Sequence, residues 1–171
     1  MPAVTLEQLL ESRDRRAARQ KDLLGKFPGK SLLCLTVQLP GPVKRNALSL
    51  AIARAGVAAV RTAFSPDYEK LLDLETGYEG YFLLPLSADA AKRQAVTLED
   101  SHPLGRLFDL DVCRLWGPSG QPLPLSREAM GLPPRGCLLC GRPARYCMRA
   151  KTHTQDELMA QIERLVQEYE V

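Results

Sequence analysis

The chain has 171 residues, 45% of them hydrophobic and 25% charged. Those proportions exclude a disordered polar chain and suit one globular domain, or one domain with an appendage. The formal net charge of +3 is too small to argue for nucleic-acid binding by itself.

The N-terminus is polar and carries no secretory pattern. No apolar run approaches the roughly 18 residues that span a bilayer. Cysteines number 5, an odd count without an export signal, so reduced thiols in a cytoplasm are expected rather than a disulfide framework. Neither a membrane nor nucleic acid is expected as a partner.

Thr5-Leu6-Glu7-Gln8 is a capping box and predicts a helix running to about Gly25. Leu6, Leu9, Leu10, Ala17 and Leu24 recur at helical spacing. Arg13, Arg15, Arg16, Arg19 and Lys21 make the helix basic, either as a solvated face or as a docking face for an acidic partner. Ser31 to Leu39 reads as a buried strand, stopped by Pro40-Gly41-Pro42. A helix is predicted from near Ala47 to about Thr62. Lys44 and Arg45 precede its N-terminus, where free amides and partial positive charge favour anions. The loop lacks a P-loop pattern, so a phosphate site and a rigid turn with exposed bases are both open.

Ser65 to Gly80 reads as acidic and turn-rich, Tyr81 to Leu86 as a strand, and Ser87 as the cap of a helix reaching Leu98. The next stretch, Ser101 to Arg114, is the centre of the sequence. A turn at His102-Pro103-Leu104-Gly105-Arg106 enters a strand that carries Asp109 and Asp111. Period-two alternation points both aspartates, and Cys113, to one face, and Phe108, Leu110 and Val112 to the other. Same-face neighbours lie roughly 6.6 Å apart at Cα, close enough for two carboxylates to share a divalent cation such as Mg²⁺. A solvated strand face would show the same pattern. Arg106 beside such a pair could hold outer phosphates by bidentate bonds, which is the anatomy of nucleotidyl transfer. A third carboxylate is usual in such sites, and Glu79, Glu99 and Glu128 are the candidates. His102, preceding a proline, is more often structural in isolation.

A hairpin is expected next, with Trp116 as a core or strand-end aromatic, a turn at Gly117-Pro118-Ser119-Gly120 and a strand from Leu123 to Leu125. Gly131 to Gly136 reads as a linker. From Arg135 to His153 the charges are Arg135, Arg142, Arg145, Arg149 and Lys151, with no acid. Cys137, Cys140, Cys147 and His153 are spaced C-x2-C-x6-C-x5-H. That set could complete a Cys3His zinc tetrahedron, although the gaps are shorter than in a standard finger. Free thiols packed in a loop are the alternative, and a redox Cys-x-x-Cys lacks its usual strand-helix context. Thr154-Gln155-Asp156-Glu157 caps a last helix with Leu158, Ile162, Leu165, Val166 and Tyr169 on its apolar face. The element pattern predicts an α+β fold, a mixed or antiparallel sheet flanked by helices. One domain over 1–171 is expected, with a core at 1–130 and the Cys/His segment and final helix at 131–171.

Three motifs together carry a resemblance over nearly the whole chain. They are Pro40-Gly41-Pro42-x-Lys44; His102-Pro103 with Gly105-Arg106-Leu107-Phe108-Asp109-Leu110-Asp111-Val112; and Cys137-x2-Cys140-Gly141-x2-Ala144-x2-Cys147-x-Arg149-x3-His153. The combination resembles the apo-citrate lyase phosphoribosyl-dephospho-CoA transferases, or holo-citrate lyase synthases. The resemblance implies transfer of a prosthetic group from 2'-(5''-triphosphoribosyl)-3'-dephospho-CoA to a serine of the citrate lyase acyl carrier (gamma) subunit, with loss of diphosphate. It implies a nucleotidyltransferase-like fold, with Asp109, Asp111 and Arg106 as catalytic residues and Mg²⁺ on the aspartates. Lys44, Arg45, His102 and Gly105 would contact the donor. For Cys137, Cys140, Cys147 and His153, structural Zn²⁺ and free thiols both stay open. From a different class, a zinc-knuckle binding module without catalysis remains the alternative reading.

Overall fold

A computed structural model describes residues 3–116 and 120–170. The element order is α1 (Leu6–Lys26), β1 (Ser31–Val37), α2 (Ala47–Phe64), β2 (Tyr68–Leu74), β3 (Gly77–Leu84), α3 (Ala88–Ser101), β4 (Phe108–Trp116), β5 (Gln121–Pro124), α4 (Ala144–Ala150) and α5 (Gln155–Glu170). The strands form a 5-stranded sheet in the order β2-β3-β1-β4-β5, with every neighbouring pair antiparallel. The expected sheet is therefore antiparallel rather than mixed.

Period-two alternation gives the sheet two different faces. Leu33, Leu35, Phe82, Leu84, Phe108, Leu110 and Val112 are buried on one face against Ile52 and Val60 of α2, Ala91 and Ala95 of α3, and Ile162 and Val166 of α5. Each large side chain there contributes roughly 1.5–3 kcal/mol by leaving water. On the opposite face Leu32, Cys34, Tyr81, Leu83 and Cys113 pack with Leu23 and Leu24 of α1. The structure is thus helix, sheet, helices, with β1 and β3 buried on both sides over most of their length.

The caps follow the sequence. Thr5 Oγ accepts from the Gln8 amide at 3.2 Å, and Gln8 Oε1 accepts from the Thr5 amide at 2.9 Å. Asn46 and Ser49 close an equivalent box on α2 at 2.8 and 2.9 Å. Thr154 and Glu157 do the same for α5. Helix α2 meets the length and composition of a membrane span, with a mean hydropathy of 1.4. It lies against the sheet instead, burying Ile52, Ala53, Val60 and Phe64.

Four expectations need correction. Residues 68–74 are not a turn but the edge strand β2, paired with β3 from Tyr68 opposite Leu83 to Leu74 opposite Gly77. Its exposure on both faces and its Glu69, Lys70 and Asp73 hid the strand behind a loop-like composition. The first strand ends at Val37, and Gln38 donates instead to the Leu107 carbonyl at 2.9 Å. A helix, α4, occupies the Cys/His segment. In α1, Leu6 and Leu10 stay 73% and 50% exposed, while Ser12, Leu23 and Leu24 are buried. The first half of that helix therefore turns polar side chains to the sheet. Gly117 to Ser119 of the expected turn, and the Trp116 side chain, lie outside the described residues.

Candidate active site

Strand β4 places the two aspartates by register. Asp109 pairs with Thr36 of β1, which pairs with Glu79 of β3; Asp111 pairs with Cys34, which pairs with Tyr81. Asp109 and Asp111 therefore share the α1 side of the sheet, as alternation requires. Desolvation, then the neighbouring Asp109 carboxylate, pushes the Asp111 pKa up, although the side chain keeps solvent access. Two like charges on one face are what a divalent cation would relieve.

The strand's free edge is closed by side chains. At residues 108–111 β4 has no β5 partner, because that pairing begins at Cys113. Glu99 Oε1 accepts from the Leu110 amide at 2.8 Å, and Lys92 Nζ donates to the Leu110 carbonyl at 3.0 Å. Arg135 Nη2 donates to the Phe108 carbonyl, and its Nη1 lies 3.3 Å from Asp109 Oδ1. Buried backbone polar groups must be satisfied, and here α3 and the segment after β5 do it.

The turn before β4 is shaped by Gly105. A Cβ at that position would lie 2.4 Å from the Glu99 carbonyl oxygen and 2.6 Å from that of Leu98. Only glycine lets the chain pass the end of α3 so closely. Arg106 follows and donates through Nη2 to the Gly136 carbonyl. Its Nη1 is buried and has no hydrogen-bond partner among the described residues. Burial, then the Arg135 and Arg127 charges, lowers its pKa. His102 caps the C-terminus of α3, with Nδ1 accepting from the Leu104 amide at 3.0 Å. Its ring lies between those of Phe108 and Tyr169, at 5.0 and 5.4 Å. Burial lowers its pKa. Gly105 and His102 thus shape the turn that delivers Arg106.

The upstream loop separates its two bases. Lys44 Nζ donates to the Leu39 carbonyl at 2.5 Å, and burial lowers its pKa. Arg45 turns away to Asp73 of β2, with two contacts of 2.8 Å.

The ligand atoms of Cys137, Cys140, Cys147 and His153 all lie within 4.8 Å of one another. The Cys140 and Cys147 sulfurs are 3.5 Å apart. Zinc–thiolate bonds of about 2.3 Å in a tetrahedron put sulfurs about 3.8 Å apart, so the spacing fits. The Arg142 backbone amide, then His153 and the Arg142 side chain, lower the Cys140 thiol to about 6. His153 Nε2 is buried without a hydrogen-bond partner among the described residues. A thiol disposed to ionise and an imidazole nitrogen lacking a partner make the set compatible with a structural metal. Alpha-helix α4 supplies Cys147, and the Cys137 amide bonds the Arg142 carbonyl at 2.7 Å to fold the knuckle.

These parts meet at one cavity of about 900 Å³. Arg106, Asp109, Lys44, Cys137, Cys147 and His153 line it, as do Leu138, Met148 and Lys151. Asp111, Arg45, His102, Gly105 and Cys140 stand outside that lining. Sequence reasoning missed the part of the wall that α1 contributes through Leu9, Ser12, Arg13 and Arg16. The signal was present, since Leu9, Arg13 and Arg16 follow helical spacing, but the run was equally readable as a wet face. Among the third-carboxylate candidates, Glu79 is buried on the aspartates' face, Glu99 is bound to Arg127 and Arg135, and Glu128 is exposed in a 3-10 turn.

Comparison with known proteins identifies the family of the chain. The family model "Apo-citrate lyase phosphoribosyl-dephospho-CoA transferase" (CitX) matches residues 4–169. An Escherichia coli O139:H28 protein of that name is 38% identical over 169 residues, covering 96% of this chain and 89% of the relative. A Streptococcus pyogenes serotype M18 protein, named "Probable apo-citrate lyase phosphoribosyl-dephospho-CoA transferase", is 36% identical over 98% of this chain and 88% of its own length. "Protein CitXG" of Haemophilus influenzae is 37% identical over 98% of this chain, which spans 36% of that longer protein. The chain belongs to the apo-citrate lyase phosphoribosyl-dephospho-CoA transferase family.

Proposed function

We propose that the chain transfers the phosphoribosyl-dephospho-CoA group from 2'-(5''-triphosphoribosyl)-3'-dephospho-CoA to a serine of the citrate lyase acyl carrier subunit. The family membership supports the reaction, and one structural observation supports its location. That observation is the Arg106 guanidinium, whose buried Nη1 has no partner among the described residues, lining the same cavity as Asp109. An arginine short of an acceptor in a cavity of this size suits a phosphate group.

In this reading the carrier's serine oxygen attacks the donor phosphorus nearest the ribose. A serine O–P bond forms, the P–O bond to the outer two phosphates breaks, diphosphate leaves, and the serine proton passes to water. Arg106 and Lys44 bind phosphate oxygens, and Asp109 and Asp111 would hold Mg²⁺, which would neutralise charge on the phosphate oxygens. Arg45 serves the loop through Asp73, while Gly105 and His102 hold the turn. The antiparallel sheet with a carboxylate pair on an inner strand supports a nucleotidyltransferase-like fold.

Zinc is our assignment for the Cys3His set. With Cys137, Cys147 and His153 in the cavity wall, its role is to shape that wall. This favours an enzyme with a structural metal over a free-standing zinc-knuckle binding module. All 5 thiols are unpaired, which suits a reducing cytoplasm. The test is to incubate protein, donor, Mg²⁺ and apo-carrier and weigh the carrier intact. The expected result is a mass gain of one prosthetic group, abolished when the carrier's serine is replaced. An unmodified carrier with active donor would overturn the assignment.

A further inference from the structure

Glu79 is 2% exposed, yet it is a carboxylate in the middle of a sheet. Burying such a charge is costly unless it is paired and hydrogen-bonded. Here it is saturated. Oε1 accepts from Arg16 Nε at 3.2 Å and Ser12 Oγ at 3.4 Å; Oε2 accepts from Arg19 Nη1 at 3.0 Å and Tyr81 Oη at 2.5 Å. Both oxygens already hold two donors each, which leaves little room for a metal ion. Two guanidinium groups against one carboxylate leave a surplus positive charge on this wall.

Arg16 is held in a particular way. Only its Nε is committed to Glu79, and its two terminal nitrogens make no hydrogen bond among the described residues. The side chain lines the same cavity as Ser12, Arg13 and Arg106. Register places Glu79 in line with Thr36 and Asp109 across three strands. The anchored guanidinium therefore stands on the same sheet face as the aspartate pair.

We propose that Arg16 binds a phosphate of the triphosphoribosyl donor and that Glu79 is its positioning residue rather than a metal ligand. The identity of the donor rests on the transferase reading; the anion subsite itself does not. A carboxylate on Nε fixes the plane of the guanidinium, and a pre-oriented fork loses less entropy on taking up a phosphate than a free side chain. The same wall explains why the first half of α1 turns Ser12 and Arg16, instead of Leu6 and Leu10, toward the sheet.

The experiment uses the full chain and inorganic tripolyphosphate as the probe, by calorimetric titration without added Mg²⁺. Arg16→Ala should weaken tripolyphosphate binding about tenfold or more, with Arg16→Lys recovering part of it. In transfer assays the donor KM should rise for Arg16→Ala and Glu79→Gln while the carrier KM holds. Glu79→Gln added to Arg16→Ala should cost no further donor binding, because Glu79 acts through Arg16. Wild-type affinity in Arg16→Ala overturns the subsite. An additive loss in the double variant overturns the positioning role and leaves Glu79 a fold residue. If the wild-type chain binds tripolyphosphate in an Arg16-dependent way but never modifies the carrier, the transferase reading fails and the subsite stands.

Discussion

Arg135 ties the Cys/His segment to strand β4: its Nη1 lies 3.3 Å from Asp109 Oδ1, and its Nη2 lies 3.2 Å from Glu99 Oε1. Two residues later comes Cys137, the first of the four clustered ligands. The last quarter of the chain is thereby locked to β4, and the sequence boundary near residue 130 does not separate the cluster from the cavity.

Removing that tie should destabilise the fold. In Arg135→Ala, Glu99 keeps Arg127 at 2.6 Å but loses one partner, and the Phe108 carbonyl loses its donor. Breaking such a partly buried pair costs about 2–3 kcal/mol. Urea unfolding followed by circular dichroism measures it, and a loss under about 0.5 kcal/mol would contradict the tie.

Replacing the aspartates should divide activity from stability. Asp109→Asn and Asp111→Asn should each lower carrier modification by about a thousandfold or more, as loss of a metal-holding carboxylate does. The Asp111 pKa is raised, first by desolvation and then by Asp109, so its ionisation opposes folding. Stability linked to this group is fullest at low pH and is lost as pH rises from the ordinary aspartate value through the raised one. Asp111→Asn should therefore raise the melting temperature of metal-free protein at neutral pH and have no such effect near pH 3. Retained transfer by either variant would remove the metal assignment.

The Cys/His set should carry metal. Purified protein should contain about one zinc per chain by elemental analysis, and Cys140→Ser should lower that content severely. Because structural zinc contributes folding free energy directly, chelation should lower the melting temperature and take transfer activity with it. Full activity in zinc-free protein would sink the idea that the metal shapes the cavity wall.

Gly105→Ala should be harmful despite its size. The added Cβ meets backbone oxygens of α3, which do not rotate out of the way. The expected cost is about 1–3 kcal/mol, and shifting the turn moves Arg106. Transfer should fall more than stability alone accounts for, read as a drop in kcat/KM at a temperature where the variant is folded.

Much of the site was legible because its signals are local. The Asp109/Asp111 alternation, the caps at Thr5, Ser87 and Thr154, and the spacing of Cys137, Cys140, Cys147 and His153 depend on residues within a turn or a strand of each other. The edge strand β2 was missed because a strand exposed along most of its length has no apolar pattern to show, and its pairing partner lies across a hairpin. Helix α4 was missed because the cysteine spacing drew the reading and seven residues carry little periodicity.

The sequence by itself determined the α+β class, which face of β4 is polar, the metal-suited Cys3His set and the family. Tertiary structure decided which charges meet. Arg45 left for Asp73, Arg16 came to Glu79 from 63 positions away, and Arg135 reached Asp109 across 26. Local chemistry follows backbone periodicity, which is written along the chain. The pairing of charges depends on how layers stack, and a buried carboxylate such as Glu79 acquires its arginines only when α1 closes over the sheet.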